Sequence, residues 1–235
     1  MRLINANTFR LEEFIKAEVP AYAILSHTWE DEEVNYAEIA SASSLETLGQ
    51  PKYSKIRGSV ELAKAQKLDY IWVDTCCIDK SSSAELQEAI NSMYRWYKNA
   101  AVCFVYLSDY HWDRPLGRRD WEETRELDLQ KGRWITRGWT LQELIAPSNV
   151  QFYDSSWTYL GDKAKYPYSI SRDTGISEAV LKSGDVSTAS VAQRMSWASS
   201  RKCTRVEDVA YSLMGIFNIN MPMFYGEGEN AFLCL

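Results

Sequence analysis

The stretch Asp69-Tyr70-Ile71-Trp72-Val73-Asp74-Thr75-Cys76-Cys77-Ile78-Asp79-Lys80 decides the fold class. Its first half has no polar face: Tyr70 to Val73 are all apolar, as expected of a strand covered on both sides within a parallel sheet. Working outward, residues 53–67 repeat apolar side chains with helical spacing through Ile56, Val60 and Ala63. On the other side 74–80 reads as a loop, and Ser82 with Glu85 forms an S-x-x-E pattern that opens a helix over 84–99. A second β-branched and aromatic run follows at 101–107, and 22–25 is a compact apolar strand upstream. Strand, helix, strand, helix, strand in that order predicts an α/β fold with a parallel sheet flanked by helices.

The flanks are less regular. Leu11, Phe14 and Ile15 predict a short helix over 10–17, stopped by Pro20, and 41–51 reads as a loop or a frayed helix. Residues 109–132 form a charged insertion containing Trp112 and Trp121. A helix is expected over 134–146, ended by Pro147, then a strand over 150–153. Beyond Ser155 helices are expected near 190–199 and 205–217, the second opened by a Thr204/Glu207 capping pattern, and 227–235 starts another. The expected organisation is one domain over 1–235: an α/β core to residue 155 and a mainly helical part over 156–235.

Composition narrows the function classes. The chain has 235 residues, 46% apolar and 25% charged, which is ordinary for a globular domain and excludes wholesale disorder. A net charge of −6 argues against nucleic-acid binding. No apolar run approaches a membrane span and no signal-peptide pattern opens the chain, so a cytoplasmic, reduced setting is expected for its five cysteines. With two histidines, His27 and His111, and no C-x-x-C pair, no metal site is expected.

Ligands of parallel α/β sheets bind outside the carboxyl ends of the strands. The segments leaving those ends here are 26–29, 74–79 and 108–111, joined by Lys131-Gly132-Arg133-Trp134-Ile135-Thr136-Arg137-Gly138-Trp139, which carries three cations and no acid. Glu143 follows directly. Thr140-Leu141-Gln142-Glu143 is itself a capping-box pattern, so Glu143 is either a helix-start residue or a carboxylate facing a pocket. Trp29, Trp134 and Trp139 lie where a flat ring could stack on a base, whereas Trp72 and Trp96 belong to the core. A thiol mechanism is also conceivable, with Cys76 or Cys77 as nucleophile, His27 as base and Asp74 or Asp79 orienting it.

Three blocks are recognisable beyond these generalities: Tyr22-Ala23-Ile24-Leu25-Ser26-His27-Thr28-Trp29, the stretch Asp69 to Lys80 quoted above, and Arg137-Gly138-Trp139-Thr140-Leu141-Gln142-Glu143-Leu144. They resemble the heterokaryon incompatibility (HET) domain of filamentous fungi. Arg205-Val206-Glu207-Asp208 through Gly215, and Tyr225-Gly226-Glu227-Gly228, resemble that family's C-terminal segment, while Glu30 stands where the family commonly has Gly. The resemblance implies a cell-death effector domain in non-self recognition, often fused to or recruited by a nucleotide-binding receptor. More remotely, Trp139 to Leu144 is similar to the Trp-Cys-Leu-x-Glu-Leu stretch of Toll/interleukin-1 receptor (TIR) domains, whose Glu cleaves NAD. That similarity implies a flavodoxin-like sheet and an NAD+ glycohydrolase that depletes NAD on self-association. Glu143 would be the catalytic acid, with Ser26, His27, Trp29, Asp74, Arg133, Arg137 and Trp139 around the substrate. NAD would be consumed, not held as a cofactor. The alternative is a non-catalytic module that signals by oligomerising.

Overall fold

A computed structural model describes residues 1–15, 18–42, 49–111 and 127–235. Its centre is a seven-stranded sheet: β1 (Arg2–Asn5), β2 (Leu11–Glu13), β3 (Ala23–His27), β4 (Tyr70–Trp72), β5 (Val102–Tyr106), β6 (Val150–Tyr153) and β7 (Tyr159–Asp162), in the spatial order β2-β1-β4-β3-β5-β6-β7. β3 pairs in parallel with β4 and β5, and β5 with β6. The four parallel strands therefore run second, first, third, fourth, as in flavodoxin-like sheets, with the topological switch between β3 and β5. Every residue of β3 is buried, and so are the first four of β5, which is why 23–25 and 102–105 read as unbroken apolar runs.

The helices Ser54–Ala65 and Ser83–Asn99 lie close to their expected positions. Ser82 caps the second through Glu85 N, but the Glu85 carboxylate bonds instead to Asp79 N and Arg2, so only half of the expected box forms. Trp72 is fully buried and packs on Trp96 and Tyr97, with ring centroids 5.5 and 5.9 Å away. Its aromatic cluster joins the sheet to the Ser83–Asn99 helix.

The edges depart from expectation. The sheet is mixed: β1 and β2 at one edge and β7 at the other are antiparallel to their neighbours. Leu11–Glu13 is a strand, not the expected helix over 10–17, because the Asn5 side chain accepts from Asn7 N and Thr8 N and turns the chain back along β1. The expected loop 74–80 begins with one helical turn, Asp74–Cys77. Just before the expected loop over 41–51, a short helix, Tyr36–Ser41, is closed by a capping box between Asn35 and Glu38. The single helix expected over 134–146 is two pieces, a 3-10 turn Trp134–Thr136 and an α-helix Thr140–Ile145. They are separated because Arg137 is extended and bridges to Lys202.

Residues 156–235 carry β7 and short helices. The helix Val191–Ala198 lies where one was expected, while 205–217 splits into Asp208–Tyr211 and Met214–Phe217. The Thr204/Glu207 box does not form. Thr204 Oγ1 accepts from Arg137, and the Glu207 carboxylate accepts from Gly226 N and Gly228 N at 2.8 and 3.2 Å. Most of the 109–132 insertion, including Trp112 and Trp121, lies outside the described residues. Among the described residues no helix is long and apolar enough to cross a membrane.

Candidate functional site

Where β3 and β4 end, the chain leaves a cavity of about 290 Å³. The strand ends contribute His27, Trp29 and Asp74, and Lys80 follows from the adjacent connection. Leu86, Ile90, Met93 and Tyr97, spaced three or four residues apart along one helix, form an apolar wall. Opposite stand Arg137, Trp139 and Glu143, and the C-terminal part closes the cavity with Thr204, Arg205, Asp208 and Tyr225.

Glu143 is 7% exposed. It is not the helix cap its spacing allows. The first helical turn has no capping side chain, and the Thr140 hydroxyl turns back to the carbonyls of Trp134 and Arg137. Instead Glu143 Oε2 accepts a hydrogen bond from Ser26 Oγ, which in turn accepts from Trp134 Nε1 at 2.8 Å. An indole N–H only donates, so Ser26 Oγ accepts from Trp134 and keeps its one proton to give to the ionised Glu143 carboxylate. Burial pushes the Glu143 carboxyl up to about 8; the Ser26 bond opposes the shift, the Asp74 charge adds to it, and Tyr97 and Arg201 also oppose it.

Asp74 behaves in the opposite way. Burial raises it, but Lys80 and His27 together with the Trp29 indole outweigh that and hold it at about 2. Trp29 Nε1 donates to Asp74 Oδ2 at 2.8 Å, and His27 Nε2 lies 3.1 Å from Oδ1. On its other side His27 Nδ1 is 3.2 Å from Lys55 Nζ. An ammonium has only protons to offer, so Nδ1 accepts and Nε2–H donates to Asp74. The imidazole is thus held between a lysine and an aspartate. That leaves no lone pair for a cysteine. Cys76 and Cys77 are buried in the Asp74–Cys77 turn, Cys77 Sγ accepts from Val73 N at 3.3 Å, and burial drives the Cys76 thiol well above its ordinary value. The geometry does not support the thiol mechanism.

The residues expected around a substrate divide into three groups. His27, Trp29, Asp74, Arg137, Trp139 and Glu143 meet at the cavity. Ser26 is fully buried behind Glu143 and acts through it, and Trp134, also fully buried, is its hydrogen-bond donor and not a stacking surface. Arg133 lies outside the cavity, its guanidinium 3.5 Å from Asp109 and 3.7 Å from Glu30. Of this cationic run, Arg133 thus stands beside acids distant in sequence, while Arg137 donates to the Thr204 hydroxyl at 3.0 Å.

Sequence reasoning missed Lys80, Thr204, Arg205, Asp208 and Tyr225 as wall residues. Asp208 accepts from the Tyr225 hydroxyl at 3.0 Å; burial raises its carboxyl, against hydrogen bonds from Tyr225 and Trp139. The guanidinium of Arg205 lies 4.5 Å over the Tyr225 ring. Glu207 staples the Gly226–Gly228 loop beside it. The Arg205–Gly215 and Tyr225–Gly228 blocks, already singled out by resemblance, were the available signal.

Gly138 has a packing reason. A Cβ there would stand 2.3 Å from Cys203 Sγ and 3.2 Å from Ser212 Oγ. Gly138→Ala should therefore cost about 1–3 kcal/mol through overpacking, seen as a lower melting temperature. Adding Cys203→Ala should restore most of the loss. A double variant no more stable than Gly138→Ala alone would show that the sulfur contact is not the cause.

Residues 22–131 match the family described as Heterokaryon incompatibility protein (HET). The chain is 46% identical over 217 residues to the vegetative incompatibility protein HET-E-1 of Podospora anserina, an alignment covering 92% of this chain and 16% of that protein. The chain thus spans about a sixth of the length of the curated relative it matches. No solved structure shows a significant match. Together with the α/β sheet and the three blocks gathered around its strand ends, the sequence match places this chain in the heterokaryon incompatibility (HET) family.

Proposed function

We propose that this HET domain is a cell-death effector that hydrolyses NAD+ at the N-glycosidic bond to nicotinamide, activated by self-association. One observation carries the reading: Glu143 is a buried carboxylate on a cavity wall, held by Ser26 and Trp134 and not used as a helix cap. The similarity of Trp139 to Leu144 to the glutamate-bearing stretch of TIR domains supports it.

The chemistry asks little of the protein beyond electrostatics. As the C1′–N bond breaks, its electron pair goes to the pyridinium nitrogen, so nicotinamide leaves neutral and needs no proton. The ribosyl centre becomes oxocarbenium-like, and a carboxylate beside it stabilises that charge, as in glycoside hydrolysis. Water then adds to C1′ and releases a proton. Glu143 serves as that carboxylate, and Asp74 adds a second fixed negative charge. Trp139 offers a flat surface to the ring, and Arg137 and Arg205 at the wall hold the phosphate on the nicotinamide side.

The pH dependence has a definite sign. The catalytic form of Glu143 is the anion, and its carboxyl lies at about 8 in the ligand-free fold. With purified protein, kcat/KM for NAD+ should rise up to about tenfold per pH unit below that value and level off above it. Bound NAD+ brings a cationic ring, which favours the anion, so the same limb in kcat should lie at lower pH. A kcat/KM that is flat between pH 6 and 9, or an absence of nicotinamide release, would count against Glu143 as the working group.

A further inference from the structure

Beside the first cavity lies a second concavity of about 560 Å³, open to solvent and lined by Glu30, Asp31, Lys52, Lys55 and Arg133 among others. The two share one residue, Trp29. Trp29 is 51% exposed, yet it is held from two directions. Its indole N–H is fixed to Asp74, and the ammonium of Lys80 stands 3.7 Å from its ring centroid. Lys80 borders the first cavity and not the second, so the cation covers the ring from the inner side. Trp29 also borders the second concavity, there among side chains of both signs.

Size and charge distinguish the two spaces. The inner cavity, with its apolar wall and its two carboxylates at Glu143 and Asp74, suits a cationic aromatic riboside. The outer concavity offers an aromatic face, a half-exposed guanidinium whose acidic partners stand at 3.5 and 3.7 Å, and carboxylates able to accept from sugar hydroxyls. Those are the groups that recognise a nucleoside phosphate: a ring to stack on, a fork for phosphate and acceptors for ribose.

Resting on the NAD+ reading above, we propose that this second concavity is the subsite for the adenosine-phosphate half of the dinucleotide, with the base stacked on the outer face of Trp29 and the phosphate held by Arg133. Arg133, which stands outside the inner cavity, thereby acquires a place in substrate binding.

Nicotinamide mononucleotide lacks the adenosine-phosphate half and supplies the control. In wild type, KM should be lower for NAD+ than for nicotinamide mononucleotide. Arg133→Glu should raise KM for NAD+ about tenfold relative to that for the mononucleotide, the loss of one charge-assisted contact. Calorimetric titration with AMP gives a reading independent of turnover: AMP should bind wild type and Glu143→Gln alike, and Arg133→Glu at least tenfold more weakly. If Arg133→Glu affects both substrates equally and binds AMP as wild type does, the outer subsite is wrong while NAD+ cleavage stands. If wild type binds AMP in an Arg133-dependent way but cleaves neither substrate, the cleavage reading falls and the nucleotide subsite remains. An absence of AMP binding to wild type overturns the subsite outright.

Discussion

Glu143→Gln should lower NAD+ turnover by about a thousandfold or more while leaving a folded protein. Glutamine keeps the length of the side chain, and its carbonyl oxygen can still accept from Ser26, so the chain from Trp134 through Ser26 survives. What is lost is the negative charge beside the ribosyl centre. Stability should move the other way. Glu143 is raised from the ordinary 4.5 to about 8 in the fold, so the native state holds a proton that the unfolded chain releases. Its contribution is fully present below about 4.5 and is lost as pH rises through about 8. Glutamine has no such loss. At pH 8–9 the variant should therefore be more stable than wild type by something on the order of 4–5 kcal/mol, and the gap should close towards pH 5. Melting curves at the two pH values check this directly. A variant less stable than wild type at both would mean that Glu143 is structural.

Lys55→Met should be the most damaging single change to the support of the site. Lys55 is 8% exposed, and its ammonium meets the Glu33 carboxylate, His27 Nδ1 at 3.2 Å and the Thr28 carbonyl at 3.3 Å. Methionine preserves the length of the stem but strands all three partners, the situation in which one half of a buried pair becomes a liability. The expected cost is about 3 kcal/mol, a fall of roughly 6–12 °C in Tm for a domain of this size. Activity should fall as well, because an imidazole without its lysine no longer has a fixed Nε2–H to give Asp74. A double-mutant cycle separates these effects: in a Glu33→Gln background the same substitution should cost clearly less. Equal costs in both backgrounds would mean that the ion pair carries no coupling.

The parallel strands were legible in the sequence because burial on both faces leaves an unbroken apolar run, as in Tyr70 to Val73 and 101–107. The edge strands β1, β2 and β7 were not, since three or four residues of mixed polarity carry no period. Leu11, Phe14 and Ile15 fit a helical stripe equally well, and only the Asn5 turn and pairing with β1 settle the outcome. Glu143 stood out because its spacing and its neighbours were unusual together. The direction in which Ser26 and Trp134 point was not readable: both are polar-capable residues at strand or turn positions, yet both face inward and serve Glu143. Arg133 and Arg137, four residues apart in one cationic run, part company because they cap opposite ends of a short 3-10 turn and Arg137 is extended. Asp208 and Tyr225 reach the cavity through folding over more than sixty residues, which no local pattern records.

The decisive measurement is cellular NAD followed through killing by the wild-type domain. NAD should fall before viability does, with nicotinamide appearing in step, and cells expressing Glu143→Gln at the same level should keep both their NAD and their viability. Death of wild-type-expressing cells with NAD intact, or undiminished killing by Glu143→Gln, would contradict NAD+ cleavage through Glu143 as the cause of death.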